Sequence, residues 1–160
     1  MNQSFVVHQF DSGMHYILLD KKTVAPLTKN GNRRVLCRLN DQLEFHAALM
    51  PKKEGGFFVN IGSAYCKQLK IRKGTTVTAR FSIDTTPYQF EMPEELQEVL
   101  STDEEANAVF HSLTEGNQRG LMYLVTQVKS TDKRIERALK IAAKIKSGIT
   151  SPRIILKETR

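Results

Sequence analysis

Residues 57–84 read FFVNIGSAYCKQLKIRKGTTVTARFSID. Phe57, Val59 and Ile61 alternate with other residues, as in a strand with one buried face. Residues 63–69 are long enough for about two helical turns. Lys73-Gly74 supplies a turn, because glycine accepts positive φ without a steric penalty. Val77, Ala79, Phe81 and Ile83 then alternate strictly with Thr76, Thr78, Arg80 and Ser82, the clearest period-two run in the chain. Strand, short helix, turn and longer strand form the unit around which the other elements arrange.

Toward the N-terminus the same period recurs. Residues 5–10 and 14–19 are apolar and β-prone, with the turn signal Asp11-Ser12-Gly13 between them. A polar connection, residues 20–32, follows. Val35, Cys37 and Leu39 make one alternating run, and Leu43, Phe45, Ala47 and Leu49 make another. Asn40-Asp41 lies between them, and both residues tolerate left-handed backbone, so a tight hairpin is predicted there. Pro51 ends the second run because it cannot donate to a ladder. About six short strands at this spacing predict a small β-barrel.

Beyond Asp84 the period changes to that of helices. Met92-Pro93 opens the first, with Glu94 and Glu95 in its first turn and Leu96, Val99 and Leu100 as its stripe. Thr102 with Glu105 reads as a capping box for the second, whose buried face is Ala106, Val109, Phe110 and Leu113. Thr114 caps the third, with Leu121, Leu124, Val125 and Val128 inward. Ser130 or Thr131 caps the fourth, which carries Ile135, Leu139, Ala142 and Ile145 and stops at Gly148. The expected fold is α+β: a six-stranded barrel over residues 1–84, a linker at 85–92, a four-helix appendage over 93–148 and a tail at 149–160.

The 160 residues suit one domain or a domain with an appendage, and this length buries a core without staples. Two cysteines, Cys37 and Cys66, make no disulfide framework and point to a reducing, cytoplasmic setting. No apolar run reaches the length of a membrane span. The net charge of +7 is unevenly spread. Residues 91–115 carry 8 acidic side chains and no Lys or Arg, whereas residues 116–160 carry 11 basic and 3 acidic ones. Such a distribution fits ordinary solubility with pairing between the acidic and basic helices, the favoured reading, and offers an anionic partner as the alternative.

The two halves, in this order, resemble the YdeI/OmpD-associated family, often called bacteriocin-protection proteins, whose members can carry an N-terminal barrel domain of unknown function. In the first half the resemblance rests on Leu49-Met50-Pro51, on residues 56–61 and on Leu69-Lys70-Ile71-Arg72-Lys73-Gly74. That last segment is also similar to the half-barrel unit of AbrB/MazE-like transcription factors and implies a double-split β-barrel. In the second half it rests on Pro93-Glu94-Glu95-Leu96, on Phe110 with Leu113, and on residues 129–137. The chain departs from the family pattern at Thr75, where Asp usually follows the turn glycine, and in having no Trp. The resemblance implies a bacterial protein with a theme of stress or bacteriocin protection. It implies no reaction.

The residues themselves show no catalytic pattern. His8, His15, His46 and His111 have no HxH or HExxH spacing, the cysteines form no CxxC, and no GxSxG elbow, Walker loop or GxGxxG occurs. No catalytic residue, metal or cofactor is expected. The strongest polar feature is the last helix, where Lys133, Arg137, Lys140 and Lys144 recur on one face, flanked by Arg134 and Lys146. That face is either solvated, and paired in part with acidic residues 91–105, or a contact for phosphate, a lipid headgroup or nucleic acid. Tyr16, Phe45, His46, Tyr65 and Tyr88 are the candidate lining of a pocket where helices cover the barrel mouth, although core packing explains the aromatics equally well. The leading expectation is a non-enzymatic binding or protection module with an anionic ligand or a protein partner. Two alternatives are a nucleic-acid-binding regulator and an uncharacterised enzyme. Nucleic acid binding is expected to be at most weak and non-specific, since the basic helix lacks interleaved aromatics.

Overall fold

The computed structural model describes residues 2–157. The chain divides into two units, the first ending at Gln89 and the second beginning at Phe90.

In the first unit, β1 (Gln3–Val6), β2 (His8–Gln9) and β3 (His15–Leu19) lead to α1 (Lys21–Val24) and two 3-10 turns. Then come β4 (Arg34–Leu39), β5 (Leu43–Ala48), β6 (Met50–Pro51), β7 (Phe57–Ile61), α2 (Ser63–Leu69) and β8 (Thr76–Ile83). The strands form two antiparallel sheets, ordered β1-β8-β4-β5 and β2-β3-β7-β6. The α+β class stands as read. The single closed six-stranded barrel does not: among the described residues there are two four-stranded sheets, and they do not close.

The extra strands arise because two of the expected ones switch sheets partway. Val7 separates β1 from β2, with its N–H donating to Thr75 O and its carbonyl accepting from Gly74 N–H. Leu49 separates β5 from β6, and its N–H donates to Arg33 O. Both residues are buried, at 1% and 2% exposure. Each corner thus satisfies its backbone locally while its side chain enters the core, the usual device of orthogonally packed sheets. That core joins Ile17, Leu19, Val59 and Ile61 of one sheet to Val35, Cys37, Leu39, Phe45, Ala47, Val77 and Ala79 of the other.

The hairpin at Asn40-Asp41 forms as expected, with φ of 53° at both residues. The Asn40 side chain also accepts from Thr78 N–H, which ties the turn to β8. Gly74 has φ 90°, where an L side chain would be strained.

The second unit holds α3 (Glu94–Thr102), α4 (Glu104–Ser112), α5 (Glu115–Thr126) and α6 (Thr131–Lys146). With α1 and α2 the described residues contain six α-helices, of which four lie after Gln89. α6 packs against the other three helices of this unit. Leu96, Leu100, Ala106, Phe110, Leu121, Met122 and Val125 are buried. Thr114 and Ser130 cap α5 and α6. α4 is capped by Asp103, whose carboxylate accepts from Ala106 N–H; Thr102 instead ends α3.

The stripe of α6 also differs from the reading. Ala138, Ile141, Ala142 and Ile145 are buried, whereas Ile135 is 41% and Leu139 55% exposed. The cause is polar. Arg134 donates to Val128 O and Thr126 O, and Arg137 to Leu124 O, so both guanidiniums meet the carboxyl end of α5 and fix the rotation of α6.

The described part of the tail forms turns. Ile155 is fully buried, and Pro152 lies over Gly120, where an added Cβ would stand 2.6 Å from Pro152 Cγ. Residues 158–160 of the expected tail lie outside the described residues.

Candidate functional site

A cleft of about 280 Å³ lies in the second unit, lined by Val128, Lys133, Glu136, Arg137, Lys140 and Leu156. Three elements build it. α6 presents Lys133, Glu136, Arg137 and Lys140 from successive turns, a consequence of helical spacing. The end of α5 is followed by Val128. The tail contributes Leu156, held there by the burial of Ile155 and the close approach of Pro152 to Gly120.

The cations of α6 do different work. Arg137 Nη1 donates to Leu124 O at 2.7 Å and to Gln127 Oε1 at 2.9 Å, so this guanidinium is committed to the α5 terminus. Arg134 caps the same terminus and lies 3.7 Å from Glu95. Lys146 pairs with Asp103 at 2.7 Å. This hydrogen bond from Lys146, then that from Ala106 N–H, hold the Asp103 carboxyl below the usual carboxylate range, and the same bond raises the Lys146 ammonium. Lys133 and Lys140 have no ion-pair partner among the described residues. They and Arg137 line one cleft, while Lys144 lies outside it. Of the four residues on the expected basic face, the structure brings three together.

The expected pocket residues of the first unit do not share one face. Phe45 points into the core and stacks on Tyr65 at 4.8 Å. His46, its neighbour in β5, necessarily points to the opposite face. Tyr16 belongs to the other sheet and stacks against Phe10 at 3.9 Å, with Lys52 over its ring at 5.2 Å. Tyr88 lies in the segment after β8.

Sequence reasoning missed a buried polar network in that segment. The Asp84 side chain has no exposed surface, and its Oδ2 meets His46 Nδ1 at 2.5 Å. Oδ1 accepts from Thr86 N–H and from the Thr86 hydroxyl. Gln89 donates to Asp84 O, and Arg34 donates to Gln89 O. Burial alone would raise the Asp84 carboxyl, but the bonds from His46 and Thr86 outweigh it and leave the group below its ordinary value. Only the position of Asp84 at a strand end hinted at this role.

Both cysteines are free and buried. Burial pushes the Cys37 thiol up to about 12, with Glu44 adding to the effect, and burial also raises Cys66. Neither thiol is poised as a nucleophile. Among the described residues no group of three His, Cys, Asp or Glu is placed to hold a metal ion, and no helix is long and apolar enough to cross a membrane.

The family model for bacteriocin-protection, YdeI or OmpD-associated proteins (OmdA) matches residues 89–148. A second model, a domain of unknown function (DUF1905), matches residues 5–81. No curated protein matches the chain, and no solved structure does. The second half of the chain is thus similar to the YdeI/OmpD-associated family, and the first half to the domain of unknown function.

Proposed function

We propose that this chain is a YdeI/OmpD-associated protein with a binding role, and that the cleft of its second unit takes a small anion. The observation that carries the reading is the meeting of Lys133 and Lys140 in one cleft, with Arg137 locked beside them. Two ammonium groups with no ion-pair partner among the described residues, carried on a rigid helix, present a positive site that a bound anion neutralises. In this reading the first unit is a scaffold domain and the second is the ligand-bearing one. The protective role named in the family description is then a consequence of sequestering or sensing that ligand, in a reducing cytoplasm that suits two free thiols.

The test is a titration of the full chain with sodium acetate and with sodium phosphate, followed by NMR. Shift changes should cluster at Val128, Lys133, Glu136, Lys140 and Leu156. The double substitution Lys133→Gln with Lys140→Gln should abolish them while leaving the rest of the spectrum in place. Shifts that ignore the cleft, or that persist in the double variant, would overturn the reading.

A further inference from the structure

Resting on the reading of this cleft as an anion site, we infer that its ligand is a small amphipathic acid, with a charged head and an apolar body. The head and the body have separate seats. Lys133 and Lys140 supply the charge, while Val128 and Leu156 supply apolar lining. A bare inorganic anion uses only the first pair. Glu136 lies in the same cleft and repels a polyanion, which favours a single acid group over a phosphate chain or a nucleic acid backbone.

The apolar seat is built rather than incidental. Leu156 directly follows Ile155, which is fully buried, and the segment is seated by the fit of Pro152 against Gly120. At Gly120, in the middle of α5, an added Cβ would meet Pro152 Cγ at 2.6 Å, so the missing side chain leaves room for this docking. The volume of about 280 Å³ is far larger than one carboxylate needs and suits a head group with several attached carbons.

The experiment titrates the full chain with acetate, butanoate, hexanoate, octanoate and octyl phosphate, and follows the Val128 and Leu156 methyl signals. Affinity should rise with each added methylene, by up to about fourfold where the methylene is buried, until the cleft is full. Octanoate or octyl phosphate binding more tightly than acetate supports the inference, and the tighter of the two identifies the head group. Leu156→Ser should flatten the chain-length dependence without weakening acetate. Acetate and octanoate binding equally well at the cleft would overturn the amphipathic class and leave the anion site standing. No shift at the cleft with any member of the series would remove both.

Discussion

His46 Nδ1 lies 2.5 Å from Asp84 Oδ2, joining β5 to the end of β8 through a carboxylate whose side chain is wholly buried. The chain turns back at this point. Thr86 closes on Asp84 Oδ1, Gln89 on Asp84 O and Asn32, and Arg34 on Gln89 O. A stretch that composition marks as a plain connection is therefore hydrogen-bonded to the sheet it leaves.

Removing the imidazole leaves that buried carboxylate short of a donor. His46→Ala should destabilise the protein by about 1–3 kcal/mol in urea unfolding. The pH dependence has a definite sign. The folded Asp84 carboxyl lies below its unfolded value, so its contribution is present above about pH 4 and is lost as pH falls through the folded value. The stability difference between the natural chain and Asp84→Asn should accordingly shrink below about pH 4. A constant difference across that range would contradict the assignment.

Gly120 and Pro152 set two effects against each other. Alanine at 120 gains up to about 1 kcal/mol of helix propensity. Its Cβ, however, would stand 2.6 Å from Pro152 Cγ, and overpacking of this kind costs about 1–3 kcal/mol. Gly120→Ala should therefore lower the melting temperature of the full chain. In a chain ending at residue 151 the clash is gone, and the same change should raise it. The same sign in both backgrounds would show that the docking of the tail does not explain the glycine.

The parts of the fold legible in sequence are those set by near neighbours. The alternation of residues 76–83 needs only the pleat, and the Asn40-Asp41 turn needs only residues that accept φ of 53°. The sheet switches at Val7 and Leu49 were not legible, because their backbone partners, Thr75, Gly74 and Arg33, are distant or unremarkable in sequence. On α6 two apolar arcs fit a helical period, one with Ile135 and Leu139 and one with Ala138, Ile141, Ala142 and Ile145. Periodicity cannot choose between arcs that overlap; the α5 carbonyls meeting Arg134 and Arg137 do. Thr102 and Asp103 both make good caps, and Asp103 is the one that also reaches Lys146. The basic residues of the cleft were readable from spacing, but its apolar half was not, since Leu156 arrives there by tertiary docking.

The thiols give a simple readout of burial. Cys37 is fully buried with its thiol pushed up to about 12, and Cys66 is buried with its thiol raised. At mildly alkaline pH neither forms appreciable thiolate in the folded protein. A disulfide reagent should thus react slowly with the native chain and with both thiols once denaturant is added. Fast stoichiometric labelling of the native chain at either position would show that the thiol is accessible and activated.

The last prediction separates the two kinds of cation on α6. Arg134 donates to Thr126 O and Arg137 to Leu124 O, carbonyls at the C-terminal end of α5, where a cation also meets the negative end of the helix dipole. Arg137→Gln should cost about 1–2 kcal/mol of stability, because a charged donor to a carbonyl is lost. Lys133→Gln, Lys140→Gln and Lys144→Gln should each leave stability within about 0.5 kcal/mol, as for surface changes that break no ion pair among the described residues. Only Lys133 and Lys140 should then govern anion binding without affecting the melt. With so few ammonium groups available, duplex DNA should bind weakly, and its affinity should fall steeply as salt rises, with a log–log slope of about −2 to −3. Binding to one DNA sequence that persists at physiological salt would mean that another surface, not this helix, reads nucleic acid.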